Sequence, residues 1–497
     1  MSATQNVGRS TIYLGIGRVV SLLAALGTVK VLTGYLGDDG FGQYNIILDY
    51  LGFFAILIDL GLHLLSVQAI TDAETDEERD QRLSSIVSLR VVVGLIAFAV
   101  AATLILFFPY EEKVKQGIVI ASFSFLSYSL VQLSTGIFQG FMRAELGAIS
   151  EAIGKAAVFG FVFLCARLGG DFTEVMMALV AGNGLGALLA LVFMRRLFRL
   201  RFLFRPKEYE SVLRDGIPLG IVMVMSYLYV KQDTLILSLY PYMPDHISNN
   251  EAIGVYKVSY KLLETIQGFP ALFLTALFPF LTKNANIDGE RFRTIAQKAF
   301  DFLVGIAIPL VVGTLLLAHE IIPILTSGDH GWERSVLTLQ ILIFAVSFSF
   351  LNNFANHIVT AYSEQKRLII PSILYLLLNF GLNMFLIAYF AHNGAAAATV
   401  VTEITVFVVN FWIVWKATGW RPHVKAFPPV FLCSGLMGGV VYLLDWQGLN
   451  VFVTTFSGIG VYYLLAGPLG ALPEGMRGRE LVNRLVGTKT EEHPPQG

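Results

Sequence analysis

Charge is what this sequence has least of: Asp, Glu, Lys and Arg together make up 14% of its 497 residues. Soluble domains carry about a quarter charged residues, so most of the surface of this chain should face lipid rather than water. The formal net charge of -1 hides an uneven distribution, because the charges cluster between apolar runs of about twenty residues, a length that spans a bilayer. We expect no nucleic acid partner.

Cysteine is almost absent as well. The two cysteines, Cys165 and Cys433, lie in apolar runs with no His or Cys at metal-ligand spacing, which argues against both a disulfide framework and a zinc site. The sequence also has no GxxxxGK phosphate loop, so direct ATP hydrolysis by this chain is not expected. We predict neither a metal site nor a cofactor.

Hydrophobic residues, by contrast, make up 55% of the chain and recur in long runs. These runs predict an all-α polytopic membrane protein with about fourteen transmembrane helices. The predicted helices are 11–33, 42–66, 86–108, 116–139, 149–168, 173–194, 216–240, 252–280, 299–318, 333–362, 369–391, 395–415, 427–445 and 450–467.

The basic residues indicate the topology. If odd-numbered helices run outward, most of the 35 Lys and Arg residues fall in cytoplasmic segments, so the positive-inside rule places both termini in the cytoplasm. The expected location of the protein is the cytoplasmic (inner) membrane. The strongest such segment is a linker between helices six and seven. It contains Arg195, Arg196, Arg199, Arg201, Arg205, Lys207 and Arg214. We interpret it as a topology signal, with specific binding of anionic lipids as the alternative.

The same basic linker divides the chain into two halves. We predict an N-terminal six-helix lobe at 1–200, a C-terminal six-helix lobe at 201–420, an additional helix pair at 421–470 and a cytoplasmic tail at 471–497. A Gly-x-Tyr motif begins the second helix of each half, at Gly42 and at Gly254. Duplicated halves are a known way to build a transporter with its site between the repeats.

Charged and polar side chains inside the predicted helices are the main functional candidates, since a charge in hydrocarbon costs about 3 kcal/mol or more and should face a cavity or a partner. On the eighth helix, Lys257, Lys261 and Glu264 fall on one face. Helices four and ten carry uncharged stripes. These are Tyr128, Gln132, Thr135 and Gln139 in one, and Ser349, Asn353, Asn356 and Thr360 in the other.

We predict that several of these residues bind an anionic head group such as a phosphate. They are Arg18, Lys30, Lys231, Lys257, Lys261, Asn353 and Asn356. Five acids are candidates for coupling to protons or sodium: Asp49, Asp59, Asp233, Glu264 and Glu403. The alternative is that the opposite charges form buried ion pairs that hold helices together, for example Arg18 with Asp59 and Lys30 with Asp49. No catalytic residue is predicted.

Three segments, taken in order, resemble a known family. The chain reads LTGYLGDDGFGQYNIILDYLGFFAILIDLGL from Leu32 to Leu62, EIIPILTSGDHG from Glu320, and NFGLNMFLIAYFAHNGAAAATVVTE from Asn379. Together they resemble the multidrug, oligosaccharidyl-lipid and polysaccharide exporter superfamily, in particular its polysaccharide transporter branch of O-antigen-type oligosaccharide flippases. The chain departs from that branch in having Lys30 where an Arg commonly precedes the Leu-Gly turn, and in its additional helix pair.

The resemblance implies two six-helix lobes, as in multidrug exporters of this superfamily, around a central cavity. It also implies alternating access that moves a polyprenyl-pyrophosphate-linked oligosaccharide from the inner to the outer leaflet for cell-surface polysaccharide synthesis. The implied partners are this substrate, membrane lipids, and a polysaccharide polymerase and glycosyltransferases.

Two alternatives stay open. One is a cation-coupled multidrug or metabolite exporter of the same superfamily; the other is a membrane glycosyltransferase or a polysaccharide polymerase or ligase. The short external segments argue against the enzymes, which generally need a sizeable external loop for their catalytic groups. We therefore expect a transporter rather than an enzyme.

Overall fold

The computed structural model describes residues 3–59, 61–203, 206–285, 289–327 and 331–471, and this part of the chain consists of helices and the turns between them. The helices are α1 (Ala3–Asp59), α2 (Leu62–Thr71), α3 (Asp76–Leu104), α4 (Glu112–Gly140), α5 (Ala144–Leu168), α6 (Phe172–Leu197), α7 (Pro206–Leu239), α8 (Asn249–Ala285), α9 (Gly289–Leu325), α10 (Arg334–Ala361), α11 (Ile369–Thr418), α12 (Phe427–Trp446) and α13 (Val451–Ala466). Among the described residues, ten helical segments are long and apolar enough to cross a membrane. The predicted all-α polytopic fold is confirmed, while the total of fourteen spans stays a prediction.

Two of the helices run through more than one predicted span: α11 contains 369–391 and 395–415, and α1 contains 11–33 and most of 42–66, whose last residues belong to α2. The apolar segment of α1 has 46 residues and that of α11, with the turn before it, has 54, which correspond to roughly 70 and 80 Å against a hydrocarbon core of about 30 Å. Each helix is interrupted near the predicted connection. Gly37 interrupts α1 at φ 68° and ψ -172°, which glycine adopts without a Cβ clash, and Ala391 interrupts α11 at φ 44°, which is strained for a residue with a Cβ.

The third helix begins ten residues before its predicted start at 86. The Thr75 side chain accepts a hydrogen bond from the backbone N–H of Glu78, and the first turn contains three acidic residues. An N-cap hydroxyl and acidic side chains both stabilise a helix N-terminus, where backbone N–H groups are unpaired. The helix therefore extends beyond its apolar run, which hydropathy alone would not predict.

The chain packs as two compact units. The first comprises the described residues of Met1–Val258, Ile324–Trp332 and Asn383–His392, and the second those of Ser259–Pro323, Glu333–Leu382 and Asn393–Gly497. In the first unit, Leu83, Leu133 and Met194 belong to a core shared by α2, α3, α4 and α6. In the second, Phe300 and Phe354 belong to a core shared by α8, α9, α10 and α11. The predicted lobes at 1–200 and 201–420 stay a prediction.

The glycines of the two Gly-x-Tyr motifs lie in one contact between α1 and α8, within the first unit. A Cβ on Gly42 of α1 would meet the backbone of Asn250 on α8, and a Cβ on Gly254 of α8 would meet the backbone of Asp38 on α1. Each glycine thus lets the other helix approach to backbone contact. The motif that marks the start of a helix in each half is therefore also a contact between those two helices.

Replacing Gly42 or Gly254 by alanine is expected to lower the free energy of unfolding by about 1–3 kcal/mol, because backbone atoms cannot yield as a flexible side chain would. Denaturant unfolding of the purified protein in detergent measures the change. Gly184→Ala on α6 is the matched control, since its Cβ would meet nothing within 4 Å. Equal stability of the Gly42→Ala and Gly184→Ala variants would contradict the reciprocal contact.

Candidate functional site

A buried acid lies between two lysines in the first unit. Asp49, in the second segment of α1, is 7% exposed and accepts a hydrogen bond from the ammonium of Lys257 on α8. The Nζ atom of Lys231 on α7 lies 3.8 Å from Asp49 Oδ1. Tyr227, one turn before Lys231, donates its hydroxyl to the backbone oxygen of Asp49 at 2.8 Å. Three helices therefore converge on one carboxylate, which partly neutralises both predicted anion-binding lysines.

A second buried carboxylate, Asp233, lies two residues after Lys231 on α7 and is 3% exposed. Its Oδ2 atom accepts a hydrogen bond from the hydroxyl of Tyr256 at 2.7 Å, and its Oδ1 atom accepts one from the Asn383 amide of α11 at 2.7 Å. Tyr256 is the tyrosine of the second Gly-x-Tyr motif and directly precedes Lys257. The two carboxylates are thus connected through neighbouring residues of α7 and of α8.

The second unit contains a more accessible pair on α8. Lys261 Nζ lies 3.0 Å from Glu264 Oε2, and the two side chains are 36% and 34% exposed. These groups lie one and two turns after Lys257 on the same helix. Their exposure within a membrane-length helix indicates contact with water or a polar ligand rather than with lipid.

The two predicted head-group asparagines, Asn353 and Asn356, and the last predicted coupling acid, Glu403, lie in the same unit. Asn352 on α10 donates its amide to the Glu403 carboxylate of α11 at 2.6 Å and to its backbone oxygen at 3.0 Å. Asn353 is half-buried, and the exposed Asn356 accepts a hydrogen bond from the Asn410 amide at 3.2 Å. Sequence reasoning selected Glu403 but not its partner Asn352.

Asp59 and Asp49 form ion pairs with other cations than Arg18 and Lys30, so the two predicted pairs are wrong. Within the described residues, the Asp59 carboxylate pairs with Arg90 at 2.6 Å, not with Arg18, and Asp49 pairs with Lys257 and Lys231, not with Lys30. Arg18 and Lys30 both lie exposed on the first segment of α1. The general idea of buried pairs was right, but sequence position could not show which helices are neighbours.

Arg90 is a buried residue that sequence reasoning missed. It is 2% exposed and donates to the Asp59 carboxylate and to the backbone oxygen of Ser129, so it joins α1, α3 and α4. A second ion pair that the sequence did not predict lies on α5, where Lys155 Nζ is 2.7 Å from Glu151 Oε1. Both bases sit inside predicted helices, so a search for every cation flanked by apolar residues would have found them.

The arrangement suits binding rather than covalent chemistry. Ammonium groups that are held by carboxylates can exchange those partners for another anion, and a carboxylate held by a hydroxyl and an amide can take up a proton or a cation. In the part of the chain that the structure describes, no three His, Cys, Asp or Glu side chains lie close enough together to hold a metal ion.

Comparisons with known proteins agree with this fold. The chain is 21% identical over 385 residues to the "Probable flippase AglR" of Haloferax volcanii, which covers 76% of both chains. It is 20% identical over 470 residues to the "Probable low-salt glycan biosynthesis flippase Agl15" of the same organism, covering 91% of this chain and 93% of that one. Among solved structures, the lipid II flippase MurJ in an inward closed conformation matches with a TM-score of 0.75 and 17% identity over 95% of this chain and 99% of MurJ.

Two family patterns match the sequence. The MatE pattern matches residues 218–385, and the pattern described as polysaccharide biosynthesis protein matches residues 7–285. The second match spans more than half of the 497 residues. The chain therefore belongs to the polysaccharide biosynthesis protein family, within the multidrug, oligosaccharidyl-lipid and polysaccharide exporter superfamily.

Proposed function

We propose that this protein is a flippase that moves a polyprenyl-pyrophosphate-linked oligosaccharide from the inner to the outer leaflet by alternating access. The observation that carries the proposal is the pair of lysines one turn apart on α8, Lys257 and Lys261, in a helix of membrane-spanning length. Cations in a place poor in water bind phosphate oxygens strongly. The flippase names of the relatives and the match to the polysaccharide biosynthesis family support the same function.

In this mechanism the lysines bind the pyrophosphate in turn. Lys261, which is about a third exposed, is the first contact, and Lys257 and Lys231 become available when the pyrophosphate replaces Asp49 as their partner. Arg18, Lys30, Asn353 and Asn356 contact the head group along its path. This partner exchange explains why the site has nearly equal numbers of acids and bases.

Coupling to a cation is assigned to the acids. Asp233 takes up a proton or sodium through the carboxylate that Tyr256 and Asn383 hold. Asp49, Asp59, Glu264 and Glu403 are the other coupling candidates, and Asp59 and Glu403 have Arg90 and Asn352 as partners.

The remaining parts of the proposal concern architecture and surroundings. Lobes at 1–200 and 201–420 rock about the site, and the helix pair at 421–470 extends the second lobe. The tail at 471–497 is assigned to the cytoplasm together with the N-terminus, and its residues 472–497 lie outside the described part of the chain. The protein works in the cytoplasmic membrane, where glycosyltransferases supply the lipid-linked glycan and a polysaccharide polymerase uses it after translocation.

Reconstitution in liposomes tests the proposal. The probe is a fluorescent polyprenyl-pyrophosphoryl oligosaccharide, and a membrane-impermeant quencher reports its leaflet. The intact protein is expected to accelerate translocation, and Lys261→Ala is expected to slow it roughly ten- to a hundredfold, the loss that corresponds to one charge-assisted hydrogen bond. Lys283→Ala, an exposed lysine at the end of the same helix, is the matched control and should leave the rate unchanged.

A cation-coupled drug or metabolite exporter is the second candidate, favoured by the MatE match over residues 218–385. In that case an imposed proton or sodium gradient would drive dye efflux, Asp233→Asn would abolish it, and Lys261→Ala would be tolerated. Absence of lipid translocation together with such efflux would replace the flippase function with this one.

A further inference from the structure

A polar cluster on the α4–α5 hairpin is used by none of the roles above. A three-residue turn joins these two antiparallel helices, so positions at equal distance from the turn lie side by side. At about 1.5 Å per residue, Gln132 and Glu151 lie roughly 12 and 10 Å from the turn, and Tyr128 and Lys155 roughly 18 and 16 Å. All four therefore lie at depths within a hydrocarbon core of about 30 Å.

The four side chains form two contacts and leave hydrogen-bonding capacity unused. Lys155 Nζ lies 2.7 Å from Glu151 Oε1, and the two side chains are 35% and 32% exposed. The Gln132 amide donates to the Tyr128 hydroxyl at 2.6 Å, and Tyr128 lies close enough to both charged groups for a Coulombic interaction. The carboxylate has a second oxygen, the ammonium two further N–H groups and the phenol its own hydrogen, so each can bind an additional ligand group.

The ion pair of the cluster, Glu151 with Lys155, lies on the side of α5 opposite its exposed apolar residues. On α5, Ile153 and Leu164 are exposed apolar residues, and at about 100° per residue they lie roughly 200° and 220° around the helix from Glu151, whereas Lys155 lies about 40° from it. A partly exposed ion pair at this depth must contact water or a polar ligand, since contact with hydrocarbon costs several kcal/mol.

The chemistry of the cluster fits a neutral ligand rich in hydroxyl groups. Its one acid and one base cancel, unlike the lysine-rich group around Asp49, so it has no net attraction for a pyrophosphate. A carboxylate, an ammonium, an amide and a phenol together offer donors and acceptors to vicinal hydroxyls, and the phenol ring adds an apolar surface.

We infer that Tyr128, Gln132, Glu151 and Lys155 form a subsite that binds the sugar residues of the transported lipid, apart from the lysines that bind its pyrophosphate. This inference rests on the proposed flippase function and assigns the glycan its own contacts. A site built from such groups rejects a ligand that lacks the matching hydroxyls, because its polar groups then lose their partners.

Binding to the protein in nanodiscs, measured by calorimetry, tests the subsite with two probes. One is polyprenyl pyrophosphate carrying an N-acetylglucosamine disaccharide; the other is the same polyprenyl pyrophosphate without sugar. The intact protein is expected to bind the first probe more tightly. The double variant Glu151→Gln, Lys155→Met is expected to lose roughly tenfold or more in affinity for the sugar-bearing probe and less than twofold for the sugar-free one.

Two further variants distinguish loss of the subsite from loss of the folded protein. Tyr128→Phe removes a single oxygen and should weaken binding of the sugar-bearing probe alone. Glu78→Gln with Arg82→Met removes an exposed i,i+4 pair on α3 and should change neither affinity. Equal losses for both probes, or none for either, would overturn the subsite and leave the flippase function standing. No binding of either probe by the intact protein would contradict the flippase function, and the subsite with it.

Discussion

Exchanging the charges of Asp49 and Lys257 is expected to preserve the folded protein and to abolish translocation. Both side chains are buried, and each is the other's direct ionic partner. Lys257→Met alone leaves the carboxylate with only the ammonium of Lys231 at 3.8 Å, and removing one partner of a buried pair costs about 3–5 kcal/mol of stability. The double variant Asp49→Lys, Lys257→Asp restores an ion pair and should recover part of that loss, because the ammonium at position 49 also faces that of Lys231.

In the double variant the rate of translocation, unlike the stability, should not recover. The exchanged ammonium projects from α1 instead of α8, so it no longer lies one turn from Lys261, and a pyrophosphate cannot pass between the two. Denaturant unfolding in detergent gives the stability, and the liposome assay gives the rate. Exchange of Glu364 and Arg367, an exposed pair 2.8 Å apart, is the control and should affect neither. A charge-exchanged Asp49–Lys257 variant that translocates at the original rate would show that this pair only holds helices together.

A disulfide across the α1–α8 contact is expected to stop transport completely. Asp39 Oδ1 lies 3.1 Å from Ser248 Oγ, directly beside the glycine contacts of Gly42 and Gly254. In alternating access, the second segment of α1 and the beginning of α8 belong to different proposed lobes, so they must separate when the site opens to the outside. Oxidation of the pair Asp39→Cys, Ser248→Cys should therefore block translocation, and reduction should restore it.

The crosslinking experiment has a matched control inside the first proposed lobe. The two native cysteines, Cys165 and Cys433, are first replaced by alanine. Asn183 Nδ2 on α6 lies 2.7 Å from Ser124 Oγ on α4. A cysteine pair at these positions should also form a disulfide but leave the rate of translocation unchanged. Full transport by the oxidised Asp39→Cys, Ser248→Cys protein, with the disulfide confirmed by mass spectrometry, would contradict separation of the two helices.

The helices were largely predictable because their cause is local. Runs of about twenty apolar residues must form hydrogen-bonded helices in a bilayer, where no water is available for the backbone. About half of the predicted spans match helices of the structure within a few residues at both ends, and the others fall within longer or interrupted helices. The departures also have local causes. Thr75 caps α3, which begins ten residues before its predicted start. Gly37 and Ala391 are non-helical residues within α1 and α11, and the helix continues on both sides of each.

The candidate site was only partly predictable. The choice of Asp49, Asp233, Lys257 and Lys261 as embedded polar residues follows from their position within apolar runs, and the structure places each in a contact with another polar group. Their partners do not follow from spacing. Arg90 lies 31 residues from Asp59 in the chain, yet the two form the ion pair that Arg18 was expected to make.

The sequence by itself determined that this chain crosses the membrane repeatedly, that it is all-helical, and which charges lie within its helices, because hydropathy and backbone hydrogen bonding act over a single helix. Only the tertiary structure decided which acid meets which base, and that the glycines of both Gly-x-Tyr motifs lie in one contact between α1 and α8. The physical reason is that an ion pair or a glycine contact depends on which helices are neighbours and in what register. Packing across the whole chain sets both.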